Sequence, residues 1–197
     1  MSKQAHFKKN SLTWLISLAV MIVLSAAVIV GCIVLDNVQN GKYRNPVEIS
    51  FTIADTKEID ISSTNAGDYN VIAVEEAYDA SGKVVAYVVK STAIGYNADV
   101  PIEIASTISA DGTVLVSIDV LQQEETEYLG VRIKEESFKN QFAARLLPVV
   151  PSTSDETGSP IDLLAGSTIT SDAVLEAVNH AQAFVADNYA PSEEAAQ

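Results

Sequence analysis

Cysteine occurs once in this chain, at Cys32, and histidine twice, at His6 and His180. A single cysteine excludes an intramolecular disulfide, an iron–sulfur cluster held by several thiolates and a cysteine-rich zinc site. Beyond residue 12 only His180 remains, so no multi-histidine metal centre and no longer histidine relay can form there; no metal site and no catalytic residue are expected. Basic residues are also scarce, 12 against 26 acidic ones, for a formal net charge of −14. Nucleic acid demands the opposite sign of surface, and that class of partner is excluded. A dinucleotide-binding glycine loop is missing as well.

Charge is absent altogether from Leu12 to Leu35, 24 residues without Asp, Glu, Lys or Arg. As a helix this run would be about 36 Å long, enough for a hydrocarbon core of about 30 Å. The expectation is one transmembrane helix over 12–35 in contact with membrane lipid. Lys3, Lys8 and Lys9 precede it, while all 26 acidic residues follow it. Lysines beside a span favour the cytoplasmic face, so residues 1–11 are expected in the cytoplasm and the main domain outside, in a single-pass cell-membrane protein. Two other readings stay open: a cleaved secretory signal, and a lipoprotein signal ending Ile29-Val30-Gly31-Cys32 with Cys32 lipidated.

About 160 residues follow the run, enough for one domain with its own core. Asp36 to Asn45 reads as a polar linker, and residues 36–69 as a juxtamembrane segment running into the domain, within which VEISFTI alternates like a strand. Val71–Tyr78 and Val84–Thr92, joined by Asp79-Ala80-Ser81-Gly82, predict a hairpin; Ile102–Ser109 and Thr113–Leu121, joined around Ala110-Asp111-Gly112, predict another. Phe138, Phe142 and Leu146 recur every four residues, which predicts a short helix on the sheet, ended by Pro148 and an exposed connection from Pro151 to Pro160. Val174, Ala177, Val178, Ala181, Phe184 and Val185 form a stripe of helical period, with Thr170 or Ser171 as N-cap and Asp172 in the first turn. The fold class is α+β: antiparallel hairpins and packed helices over 70–190, preceded by the transmembrane helix and followed by a frayed tail, 191–197.

Just ahead of that last helix stands Asp162-Leu163-Leu164-Ala165-Gly166-Ser167-Thr168-Ile169-Thr170-Ser171, a hydroxyl-rich approach to a helix N-terminus. Free backbone N–H groups and the positive end of the helix dipole suit a phosphate there, and they suit an ordinary serine or threonine cap equally. The segment resembles the covalent flavin-attachment motif of the FMN-binding domain family, shared by the G subunit of the Rnf electron-transport complex and the C subunit of sodium-translocating NADH:quinone reductase. Asp162, Gly166 and Thr168 match the pattern in register, and Ile169-Thr170-Ser171-Asp172-Ala173-Val174 with Ala177-Val178-Asn179 resembles the family's helix start. Gly95-Tyr96, the Asp111-Gly112 hairpin, the loop Glu125-Thr126-Glu127-Tyr128-Leu129-Gly130 and the aromatics Phe138 and Phe142 agree in order and spacing. The resemblance covers 12–35 and roughly 70–187.

The chain departs from the family pattern at single positions, and residues 36–69 lack the long helical stretch usual in relatives. Ala165 stands where the family has Ser or Thr, Ser167 where it has Ala, Ala98 where Gly often follows Gly-Tyr, and Glu127-Tyr128 replace Pro-Gly. Ser167 sets a second hydroxyl beside the first. The resemblance implies FMN esterified through its phosphate to Thr168 by a separate flavin transferase, with Glu125, Thr126, Leu129 and Gly130 beside the ring and Gly166, Ser167, Thr170 and Ser171 beside the phosphate. It further implies an electron-carrier subunit, not catalytic alone, among the other subunits of an Rnf-type complex that couples ferredoxin:NAD electron transfer to sodium or proton translocation. An anchored binding or assembly module without flavin, and a stand-alone flavoprotein reductase, are the alternatives.

Overall fold

The computed structural model describes residues 45–190. Six strands follow one another as an antiparallel meander: β1 (Asp55–Ile59), β2 (Val71–Tyr78), β3 (Val84–Ala93), β4 (Ile102–Ser109), β5 (Val114–Gln122) and β6 (Arg145–Leu146). The two expected hairpins are present. Each turn is closed by an aspartate and a glycine: Asp79 Oδ1 accepts from the N–H groups of Ser81 and Lys83 at 2.8 and 3.0 Å, Asp111 Oδ1 accepts from Thr113 N at 3.0 Å, and Gly82 and Gly112 take φ of 82° and 71°. Side chains of Asp bonding two residues ahead, and a glycine free to adopt positive φ, are what reverse the chain.

Alternation then divides the sheet into two faces. Val74, Val89, Ser106 and Ile118 pair in register across β2 to β5, and all four are buried. They lie under α2 (Thr168–Asn188), whose stripe Val174, Ala177, Val178, Ala181, Phe184 and Val185 is buried as its period requires. Small residues let helix and sheet approach closely: Ser91 Oγ on β3 donates to the carbonyl of Ala177 at 2.9 Å. Tyr69 and Tyr189 meet Phe184 edge-on, and Tyr189 stacks on Tyr87, closing the C-terminal end of the helix.

Between β5 and α2 the chain makes 3₁₀ turns, the four-residue helix α1 (Glu136–Lys139), and a parallel pair of short strands, β7 (Val149–Pro151) and β8 (Ser159–Ile161). Phe138 and Phe142 are buried and pack edge to face, but the expected helix stops at Phe142. Ala143 is extended, Ala144 takes φ of 54°, and Arg145 and Leu146 pair with Leu115 and Val114. A free sheet edge thus captured residues whose spacing alone fitted a helix. Residues 152–157 of the expected connection are largely exposed, but Ser159–Ile161 pairs in parallel with β7, and the Asn179 side chain of α2 bonds both the N–H and the carbonyl of Val149 at 3.0 and 2.9 Å. Residues 47–53 form no strand; the sheet begins at Asp55 instead.

The membrane part of the expected architecture is corrected. Among the described residues no helix is long and apolar enough to cross a membrane. The longest, α2, has the length but carries Asp172, Glu176, His180 and Asp187 and spends its apolar stripe on the sheet. The segment 12–35 lies outside the described residues, and the transmembrane helix, the lipid contact and the single-pass topology built on it are withdrawn.

Candidate functional site

Three segments converge beside the N-terminus of α2 and enclose a cavity of about 440 Å³. The turn after β3 contributes Tyr96; the loop after β5 contributes Thr126 and Leu129; the helix approach contributes Gly166 through Thr170. Gly166, at φ 79°, turns the chain into the helix, which starts at Thr168 with Ser167 as N-cap residue. The N-cap therefore lies three or four residues earlier than the hydroxyls of Thr170 and Ser171 suggested. Those two are occupied inside the first turn: Ser171 Oγ donates to the Ser167 carbonyl at 2.9 Å and accepts from Leu164 N at 3.1 Å, and Thr170 Oγ1 donates to Glu125 Oε2 at 2.7 Å. The Ser167 hydroxyl makes no cap bond.

The helical register sorts the hydroxyls. Ser167, Thr170 and Ser171 continue the buried stripe of α2 backwards, and Ser167 is only 6% exposed. Thr168 and Ile169 point the other way and are exposed at the cavity. Their N–H groups, with that of Thr170, begin the helix and have no acceptor within it, which leaves partial positive charge at the cavity's floor. The lining also carries apolar surface: Tyr96, Leu129 and Ile169 are exposed large side chains, Tyr96 by 67% and Ile169 by 57%. Such a site takes a planar, mostly apolar ring together with an anionic group.

Of the expected residues, Thr126, Leu129, Gly166, Ser167, Thr168 and Thr170 line the cavity, while Glu125, Gly130 and Ser171 stand behind its wall, buried. Tyr96 and Ile169 were not among the expected site residues; an apolar residue inside a run of hydroxyls was the signal for Ile169. Tyr128, where the family has Gly, takes φ of 63° and is 85% exposed. Asp162 is exposed, its backbone N–H and carbonyl held by the Gln141 side chain at 2.8 and 3.2 Å.

The family model of the FMN-binding domain matches residues 95–183, the stretch that carries all three walls. The G subunit of the ion-translocating oxidoreductase complex of Methanosarcina acetivorans is 31% identical over 138 residues, 70% of this chain and 71% of that protein. This chain belongs to that family of FMN-binding subunits. The G subunit of the Na(+)-translocating ferredoxin:NAD(+) oxidoreductase complex of Acetobacterium woodii is also 31% identical, over 68% of this chain and 66% of its own length. Among solved structures, the C subunit of Na(+)-translocating NADH-quinone reductase from Parabacteroides distasonis shares the fold, with a TM-score of 0.50 at 20% identity over 68% of this chain and 77% of that one. Shewanella oneidensis NqrC matches with a TM-score of 0.48 at 16% identity over 58% of this chain and 59% of that one.

Proposed function

We propose that this chain is the flavin-carrying electron-transfer subunit of an ion-translocating oxidoreductase complex, with FMN held by a phosphodiester to Thr168. The observation that carries the attachment point is the opposite burial of two neighbouring hydroxyls, Ser167 at 6% exposure and Thr168 open to the cavity. A transferase acting from outside reaches only the second. When bound, FMN accepts and releases electrons singly or in pairs, which is chemistry no side chain here supplies.

The chain's own residues bind and orient. Thr168 Oγ1 would carry the ester, and the first-turn N–H groups would face the phosphate. Tyr96, Leu129 and Ile169 offer the ring an apolar bed, with Thr126 as a polar neighbour. Membership in a family of complex subunits supports electron exchange with neighbouring subunits, ferredoxin and NAD being the outer partners that one relative's name carries.

The test is a denaturing gel of the full chain co-expressed with a flavin transferase. A fluorescent band is expected in the wild type and in Ser167→Ala, and none in Thr168→Val. A fluorescent Thr168→Val chain, or a dark wild type, would sink the attachment at Thr168.

A further inference from the structure

Glu125 is 6% exposed, yet its carboxylate meets every wall of the cavity. Oε2 accepts from Tyr96 N at 3.2 Å and from Thr170 Oγ1 at 2.7 Å, and Oε1 accepts from Asn97 N at 3.2 Å. Its own N–H is held by Gln123 Oε1 at 2.6 Å, and the loop's other acidic neighbour, Glu124, accepts from Asn97 Nδ2 through its carbonyl at 2.8 Å. Two glycines make the room. A Cβ at Gly95 would lie 2.2 Å from Glu125 Oε1, and one at Gly130 would lie 2.6 Å from Glu125 Cβ and 3.2 Å from Thr170 Oγ1. Real carbon atoms do not approach a neighbour to 2.2 or 2.6 Å, so both positions exclude a side chain for as long as the carboxylate stays inside.

We infer that Glu125 is a positioning residue: its buried carboxylate clamps the Tyr96 turn, the 124–130 loop and the first turn of α2 together, and so holds Thr168 and the ring bed in one geometry. This rests on the flavin reading of the cavity and departs from a ring contact for Glu125. A buried carboxylate is tolerated because three donors satisfy it, two from the turn after β3 and one from α2, while the carboxylate itself belongs to the third segment. The Asn97 side chain adds a second tie between turn and loop, so the bond to Thr170 is what brings the helix into the clamp. Without the carboxylate, the N–H groups of Tyr96 and Asn97 and the Thr170 hydroxyl would lose their common acceptor. A carboxylate with two acceptor oxygens serves three donors; an amide of the same shape presents one oxygen and one NH₂.

Glu125→Gln tests the clamp in the full chain by two readouts. Amide hydrogen exchange, followed without flavin, should speed up at Tyr96 and Asn97 by about tenfold or more, the loss expected when bonds to a charged group are removed, while β3 and β4 stay protected. Flavin incorporation by the transferase, followed by in-gel fluorescence over time, should slow by about the same factor. Thr170→Val should act in the same direction, Thr170→Ser should restore the wild-type rate, and the Glu125→Gln, Thr170→Val pair should be less than additive because the two share one of the three hydrogen bonds. Unchanged exchange and incorporation in Glu125→Gln overturn the inference. Loss of protection throughout the sheet overturns it too, in favour of a role in folding alone. A wild type that takes no flavin defeats the proposed function, and the exchange result then still judges the clamp.

Discussion

At Tyr128 the backbone carries a cost that a glycine would remove. Its φ of 63° lies in the left-handed region, where a Cβ crowds the following carbonyl by about 1–2 kcal/mol. Its side chain, 85% exposed, recovers little of that by burial. Tyr128→Gly is expected to stabilise the domain by up to about 1 kcal/mol, glycine's greater freedom in the unfolded chain offsetting part of the gain. A urea transition with a raised midpoint and unchanged slope checks it. Ser171 makes the opposite case. Its hydroxyl serves Leu164 N and the Ser167 carbonyl while fully buried, so Ser171→Ala leaves a buried amide unpaired and should cost about 1–3 kcal/mol. The loss would appear as a lower urea midpoint.

Hairpin turns and the helix start are where single elements respond to conditions. Burial pushes the Asp111 carboxyl up, but hydrogen bonds from Ser109 and Thr113 outweigh it and leave its pKa below the ordinary value of 3.8. The folded group is the stronger acid, so its contribution is fully present above about pH 3.8 and is lost as the pH falls through the lower folded value. Asp111→Asn should therefore flatten the acid limb of the stability–pH curve, measured by thermal melts at and below about pH 5 against the wild type; an unchanged limb would contradict the assignment. In the connection before β6, the four-residue spacing of Phe138 and Phe142 marked two buried aromatics correctly and their secondary structure only in part. Spacing reports a shared face, and both a helix turn and a 3₁₀ turn followed by a strand can supply one. Pairing with β5 decided between them, through neighbours about thirty residues away in sequence.

Taken whole, the molecule separates its support from its site along α2. The C-terminal half of the helix, with Phe184 between Tyr69 and Tyr189, anchors the domain, while the N-terminal turn forms the cavity. Phe184→Ala is expected to cost about 3–5 kcal/mol, a large part of a domain's stability, and to leave flavin incorporation per folded molecule unchanged. Circular dichroism and in-gel fluorescence on the same sample check both halves of that statement. If incorporation falls in step with stability, the two ends of the helix are not independent.

What the sequence determined by itself was whatever rests on near neighbours. Alternation between turn signals specified four of the strands within a residue or two, the stripe from Val174 to Val185 specified the buried face of α2, and the hydroxyl-rich run lies at the cavity. Extending that stripe backwards at the same period would also have placed Ser171, Thr170 and Ser167 inside and left Thr168 outside. Only the tertiary structure decided where Glu125 goes. In the sequence it is one carboxylate in an acidic loop; in the fold, donors from Tyr96, Asn97 and Thr170 converge on one buried point, and a charge enters the interior only where such donors are already gathered.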